Sequence, residues 1–370
     1  MVLFLHNRYR TTGGEERTVE DLLWLVREHL GEDAEVLTRD SAGLSRSRAA
    51  AGLLRGGLDA DDVAAAVRRT RARIVHAHNV NPAFGWRALA AARDAGARVV
   101  MHVHNYRLVC AVGTCFTRGE DCVRCHGRNT LPGVRLNCRG TGAEAVAYGA
   151  ALALWQRRLA ANVDAFVVPS EFAHGRLREL GAPLSAPVAV VAPPVREFVS
   201  ASRAGEGTFA LAAGRLAPEK GLELAIDACR RAGIELVIAG DGPQRAALVQ
   251  HARGADVRFA GAISRTALAT LRRDAAVAVV PSRAAETFGL AAAEAMAAGL
   301  PVAASRSGAL GDLVPAEGLV PTGDVGALAE AVRRLARNAA AGERALAAVR
   351  ERCAPQVAAQ ALRGVYESVV

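Results

Sequence analysis

The chain is predicted to be an α/β protein of two doubly wound parallel-sheet domains. Three observations carry that expectation. Short valine-, isoleucine- and alanine-rich runs alternate with alanine-, leucine- and arginine-rich stretches of helical period, the pattern of parallel α/β layers. The alternation stops at a proline- and glycine-bearing stretch over 192–207 and then starts again. The 370 residues, 51% of them hydrophobic, are long for one domain and comfortable for two.

Taken in order, the first half has strand-like runs at 2–5, 35–37, 74–76, 98–103, 165–168 and 188–191. Helical stretches are expected at 16–30, 59–71, 84–95, 143–162 and 170–180. The second half repeats the scheme, with strands at 209–213, 235–239, 257–259, 277–280, 302–304 and 319–320. Helices are expected at 219–231, 243–252, 265–273, 289–298, 324–337 and 342–352, and a last one at 355–369. The domains are therefore placed at 1–193 and 208–354, with a linker over 194–207 and a terminal helix over 355–370. Ligands of such sheets bind outside the carboxyl ends of the strands, and two such edges facing one cleft would make a single site.

Composition narrows the function classes. No apolar run reaches the ~18 residues of a membrane span, and the amino-terminal stretch reads as a strand rather than a signal peptide, so a cytoplasmic protein is expected. The formal charge is +9, but it is spread along the chain, and aromatic residues are only 4%, too few for an extended base-stacking platform. Nucleic acid is therefore not expected as a partner. Among 46 basic residues one is a lysine, Lys220. A chain that has otherwise gone over to arginine and keeps one lysine suggests a need for a compact, mobile ammonium there.

Four constellations carry chemistry. In the first, Gly214 and Arg215 follow a strand, and Pro218 presets the turn into the next helix just before Lys220. Arg215 and Lys220 thus both reach one anion at the strand ends, and a fork plus an ammonium beside a helix start suits a diphosphate. In the second, the strand at 277–280 leads through Glu286 to a helix beginning near Gly289. The backbone amides of Phe288, Gly289 and Leu290 would face the strand ends, while Glu286 and Glu294 supply bidentate acceptors for paired hydroxyls. The third is a pair of glycine turns, Gly13-Gly14 after Thr11 and Thr12, and Gly240-Asp241-Gly242 in the second half. The fourth is His76 with His78 and His102 with His104 at strand ends. One member of each pair is expected to face a cleft, and His76 and His102 read as satisfied structural histidines.

In their order along the chain, Gly13-Gly14, Gly214-Arg215-x4-Lys220-Gly221, Gly240-Asp241-Gly242-Pro243 and Glu286-x-Phe288-Gly289-Leu290 with Glu294 resemble the family-4 retaining glycosyltransferases. The resemblance covers essentially the whole chain. It implies the GT-B fold, two Rossmann-like domains with the active site between them and a final helix that returns to the first domain. It further implies a UDP- or GDP-sugar donor, no catalytic metal, and retention of anomeric configuration with the departing phosphate oxygen as base. By the same resemblance Arg215 and Lys220 bind the diphosphate, Glu286 holds the donor sugar and Glu294 the ribose. The amides of Phe288–Leu290, with Gly214, Gly240, Asp241, Gly13 and Gly14, line the donor, and His104 lies near the sugar. The acceptor stays unidentified.

One segment departs from the pattern. Residues 105–141 hold five of the seven cysteines in the spacing Cys110-x4-Cys115-x6-Cys122-x2-Cys125-x12-Cys138. A Cys-x2-Cys pair with further thiols reads as a structural zinc site of Cys110, Cys122, Cys125 and Cys138, with Cys115 or His126 as alternative ligands; free thiols and disulfides are the competing readings. The apolar stretch 145–154 followed by Arg157 and Arg158 reads as a buried helix with a basic end, and peripheral contact with the inner membrane surface as its alternative. The competing functions are a nucleotide-sugar epimerase or hydrolase on the same fold and a basic nucleic-acid-binding protein.

Overall fold

The computed structural model describes residues 1–9 and 13–370, so Thr11 and Thr12 of the first glycine turn lie outside the described residues. The chain forms two compact units. One comprises Met1–Thr117, Cys122–Pro194 and Pro355–Val370, the other Arg118–Asp121 and Val195–Ala354.

The first unit opens with β1 (Val2–Arg8), α1 (Gly14–His29), β2 (Ala34–Asp40), α2 (Arg46–Arg55), α3 (Asp61–Thr70), β3 (Ile74–Ala77), α4 (Gly85–Asp94) and β4 (Arg98–His102). The short strands β5 (Phe116–Thr117) and β6 (Glu120–Asp121) and the helix α5 (Leu131–Arg135) punctuate the cysteine segment. After them come α6 (Gly142–Ala160), β7 (Ala165–Val168), α7 (Glu171–Glu179) and β8 (Val188–Val190). The main sheet is all parallel in the order β2-β1-β3-β4-β7-β8. Both faces are covered, as a parallel sheet requires, and alternate residues of each strand enter different cores. Leu3, Leu5, Val75, Val99 and Phe166 pack with residues of α3 and α4. Val2, Phe4, Ile74, Val100 and Val167 pack instead with α1 and with Ala358, Leu362 and Tyr366 near the carboxyl terminus.

The second unit runs β9 (Phe209–Ala213), α8 (Leu222–Ala232), β10 (Leu236–Ala239), α9 (Arg245–His251), β11 (Val257–Gly261), α10 (Arg265–Asp274) and β12 (Ala275–Val280). It continues with α11 (Leu290–Ala297), β13 (Val302–Ser305), α12 (Leu310–Leu313), β14 (Leu319–Val320), α13 (Val325–Leu335) and α14 (Ala339–Cys353). Its parallel sheet has the order β11-β10-β9-β12-β13-β14. The chain order reverses between β9 and β12, which makes their carboxyl ends the topological switch point. In the first unit the corresponding reversal lies between β1 and β3. The terminal helix α15 (Pro355–Val369) belongs to the first unit.

Several expectations need correction. Helix α2 was missed, although its signals were present: Ser45 caps it by accepting from the Arg48 amide, and Gly56 closes it in the left-handed conformation. It buries only Gly52 and Leu53, so it lacks the apolar stripe on which the reading depended. Of the stretch 194–207, expected as a linker, residues 195–207 belong to the second unit and are tied down there. The Val199 amide donates to Ala297 O at 3.1 Å, and Ser202 Oγ donates to Gly299 O at 2.6 Å. The start of the cysteine segment is core: Tyr106, Val109 and Cys115 are almost fully buried in the first unit's cluster.

Candidate active site

At the second unit's switch point the two predicted loops are locked together. The amides of Arg283 and Ala284 both donate to Glu219 O, at 2.9 and 3.2 Å. Lys220 is thereby brought to Glu286: its Nζ donates to Glu286 Oε1 at 2.7 Å, and Ser282 Oγ donates to the same oxygen at 2.5 Å. Burial acts to raise the Glu286 carboxyl. The Lys220 charge, the hydrogen bonds from Lys220 and Ser282, and the Arg215 charge act against it and prevail, so the group lies below the usual carboxylate range and is ionised. Arg215 pairs with Glu219 across one turn rather than standing open.

Glycines set the closeness of these loops. Gly240, at φ 140°, lies so tightly on Gly214 that a Cβ there would overlap the Gly214 carbonyl oxygen. The neighbouring Asp241 caps its own turn by accepting from the Gly242 amide at 2.7 Å, and its carbonyl accepts from Leu216 at 2.9 Å. On the other side Gly308, at φ 61°, bridges Glu286, where a Cβ would collide with the Glu286 backbone. Helix α11 starts at Leu290 after Gly289, and its first amide bonds come from Ala292 and Ala293 to Gly289 O. The amides of Phe288, Gly289 and Leu290 therefore precede the helical ladder, at its positive end. Glu294, one turn into the helix, is paired with Arg272 of α10, and both are largely buried. Arg272 was not anticipated in this role.

The first unit's carboxyl edge is a histidine stack. His78 Nδ1 and His104 Nε2 are 2.7 Å apart, the His102 and His104 rings lie 4.2 Å apart at 4°, and His76 Nδ1 meets Tyr366 Oη at 2.7 Å. His76 and His78 share a side with His102 and His104 because strand residues two apart point the same way, which corrects the expectation that each pair divides. His102 is not a satisfied structural histidine either, since neither ring nitrogen has a partner. Burial lowers His76 and His104 to about 3, helped at His76 by the His104 charge and opposed at His104 by Glu16, so both are neutral at ordinary pH. Among the described residues, His76, His78 and His102 are the group whose ring nitrogens lie within 4.8 Å of one another, the spacing a metal ion could bridge.

Beside the stack, Glu15 accepts from Tyr9 Oη at 2.8 Å and Asn105 Nδ2 at 3.2 Å, and Arg107 Nη1 donates to Tyr9 Oη at 3.0 Å. Burial pushes the Glu15 carboxyl up. The meeting of these residues was not expected from the sequence. The Gly13 amide, expected to approach a ligand, donates to Glu16 Oε2 at 2.8 Å, while Gly14 begins α1. Asp59 and Asp61, an Asp-x-Asp at the start of α3, join neither constellation; Asp59 pairs with Arg48 on the exposed surface.

The five cysteines of the segment line one small cavity with Pro132 and Leu136. A hydrogen bond from Cys115 is the main influence lowering the Cys110 thiol to about 6, whereas burial lifts Cys125 to about 11. Helix α6, the predicted apolar stretch, buries Ala151 and Leu152 and exposes Val146 and Leu154. No helix among the described residues is long and apolar enough to cross a membrane.

Two family models match the chain: the glycosyl transferase 4-like domain over residues 12–194 and glycosyl transferases group 1 over 207–338. A GDP-mannose-dependent alpha-(1-6)-phosphatidylinositol dimannoside mannosyltransferase of Mycobacterium tuberculosis is 43% identical over 129 residues, 33% of this chain and 34% of that one. A glycogen synthase of the same species is 41% identical over 152 residues, 38% of this chain and 36% of that one. The chain spans about a third of the length of these relatives. Among solved structures, sucrose-phosphate synthase from Thermosynechococcus elongatus aligns with a TM-score of 0.73 at 20% identity, over 99% of this chain and 98% of that one. Anabaena HepE bound to UDP and glucose aligns at 0.66 and 16%, over 99% of each chain. These likenesses establish the GT-B fold. With both halves matched by models of one family, the chain belongs to the family-4, group 1 glycosyltransferases.

Proposed function

We propose that the protein transfers a sugar from a UDP- or GDP-linked donor to an acceptor hydroxyl, with retention of anomeric configuration and without a catalytic metal. The observation that carries this reading is the Lys220–Glu286–Ser282 cluster at the switch point between β9 and β12. Departure of a nucleoside diphosphate leaves negative charge on its phosphate and positive charge on the sugar. The Lys220 ammonium has three protons and serves a phosphate oxygen while keeping its bond to Glu286. Arg215 adds a second cation by exchanging Glu219 for phosphate, and the amides ahead of α11 add fixed dipoles. An ionised Glu286 accepts from sugar hydroxyls, and Glu294, steadied by Arg272, takes the ribose. The bond from the anomeric carbon to phosphate oxygen breaks, the acceptor oxygen bonds to that carbon, and the acceptor proton leaves on the phosphate.

Incubation with UDP- and GDP-sugars, following nucleoside diphosphate release and the mass and anomeric configuration of any product, tests the reading. Release coupled to a glycosylated product of retained configuration is expected. Release with only free sugar, or isomerised donor, would favour a hydrolase or epimerase.

A structural zinc ion held by Cys110, Cys122, Cys125 and Cys138, with Cys115 as alternative ligand, is proposed for the cysteine cavity. What supports it is that all five cysteines line the same space. Four thiolates would meet one ion at ~2.3 Å each. One zinc per chain is expected in protein purified without chelator, and its loss in the Cys122→Ser, Cys125→Ser double variant; zinc-free protein contradicts it.

A further inference from the structure

The histidine stack holds a set of nitrogens that neither the packing of the first unit nor the donor chemistry uses. His76 sits on β3, His78 directly after it, and His102 at the end of the neighbouring strand β4. Each offers a ring nitrogen within 4.8 Å of the other two. His76 Nε2, His78 Nε2 and both nitrogens of His102 are sealed from solvent and have no hydrogen-bond partner.

The nitrogens that are paired point to what the others could bind. His76 Nδ1 meets Tyr366 Oη and His78 Nδ1 meets His104 Nε2, each at 2.7 Å. In both rings Nδ1 is held by a protein group and Nε2 is left over. Metal-binding histidines have this arrangement, one nitrogen on the ion and the other oriented by a partner. Water fits the set poorly, because a hydrogen-bonded water stands ~2.9 Å from each nitrogen and these atoms are closed to it. A zinc-like ion stands only ~2.1 Å from an imidazole nitrogen, so shifts of under about 1 Å per ring would close the three on one ion. Neutral imidazoles suit such borderline ions, whereas calcium and magnesium require oxygen ligands.

We propose that His76, His78 and His102 bind one divalent transition-metal ion of the zinc type. All three ligands belong to the first unit. The ion ties the carboxyl ends of β3 and β4 together and, through Tyr366, secures α15 against them. It also fixes a tautomer. Metal on His78 Nε2 leaves that ring's proton on Nδ1, which then donates to His104 Nε2 and keeps the His104 proton on Nδ1. Neutral ligands offset none of the ion's charge, whereas thiolates do. The ion is therefore held less tightly than the zinc proposed for the cysteines, and is taken up from added metal as a further equivalent.

Titration of the full chain with Co2+, followed by visible absorption and by metal analysis after desalting, tests the proposal, with His102→Leu and His102→Cys alongside. His102 has no side-chain hydrogen bond to lose, and leucine has similar bulk. The unsubstituted chain is expected to hold one Co2+ more than His102→Leu. The difference spectrum should show ligand-field bands without thiolate-to-cobalt charge transfer. His102→Cys, which exchanges one imidazole for a thiolate, should keep the ion and add that charge-transfer band. Equal uptake by the unsubstituted chain and His102→Leu overturns the proposal, as does a thiolate band in their difference spectrum, which would put the ion on the cysteines. Should His102→Leu fail to fold, His102→Cys decides, since cobalt retained without the new band overturns the proposal as well. In zinc-loaded protein the nitrogen-15 shifts of His104 should show the proton on Nδ1; a proton on Nε2 overturns the tautomer.

Discussion

The two switch points of this molecule are built in opposite ways. In the second unit nearly every charged side chain at the β9–β12 edge is already matched: Lys220 with Glu286, Arg215 with Glu219, Arg272 with Glu294. In the first unit the edge gathers five histidines, His6, His76, His78, His102 and His104, beside a raised carboxyl, and leaves several buried nitrogens unpaired. A charged ligand such as a diphosphate is best met by groups held in place beforehand, since preorganised charge need not reorganise as the reaction proceeds. A neutral ligand is better met by neutral groups in a dry pocket. The contrast separates a charge-matched edge from a largely neutral one.

Acid should expose the difference most strongly. His76 titrates near 3 when folded and near 6.5 when unfolded, so the unfolded chain binds more protons throughout that interval. The stability that the neutral stack contributes is complete above pH 6.5 and is lost as pH falls towards 3. All three tryptophans, Trp24, Trp86 and Trp155, lie in the first unit, so their emission during acid titration follows that unit alone. Unfolding below pH 5 is expected; an emission profile flat to pH 3 contradicts the stack's neutrality.

Next in size is Lys220→Ala, which removes the ammonium at the leaving group. A loss of ~3–4 kcal/mol of transition-state stabilisation, some hundredfold to thousandfold in kcat, is expected with the thermal midpoint little changed. Near-normal turnover would mean that the cluster is merely structural.

A subtler probe of the matched edge is Gly308→Ala. The new methyl collides with the Glu286 backbone in a left-handed conformation, so about 1–3 kcal/mol of stability should go, with a clear rise in KM for the donor. An unchanged KM would separate the position of Glu286 from donor binding. Confined to stability is the effect of Tyr366→Phe, which leaves His76 Nδ1 without its partner on α15. A cost of about 1–3 kcal/mol in urea unfolding followed by tryptophan emission is expected, with diphosphate binding intact.

Much of the second unit was legible because its site follows local rules. Gly214, Arg215 and Lys220 fall at a strand end, and Glu286 precedes a glycine-opened helix, so spacing along the chain translates into spacing in space. Arg272 stayed hidden because its meeting with Glu294 joins two helices 22 residues apart in the chain. The first unit's edge was harder to read. Its histidine pairs were noticed, but Glu15, Tyr9 and Arg107 come together from sequence separations of up to 98 residues, and no periodicity marks them. Tyr366 reaches His76 across 290 residues. Side-chain pairing between distant elements is a property of the packed unit, and a linear reading has no purchase on it.

On the proposed function, the second unit binds the diphosphate of a nucleotide-sugar through Lys220 and its neighbours without a metal. Calorimetric titration with UDP, GDP, ADP and TDP, each with and without EDTA, tests it most directly. Selective binding of one diphosphate, unaffected by EDTA and lost in Lys220→Ala, is the predicted result. Failure of all four to bind, or binding that EDTA abolishes, would contradict it.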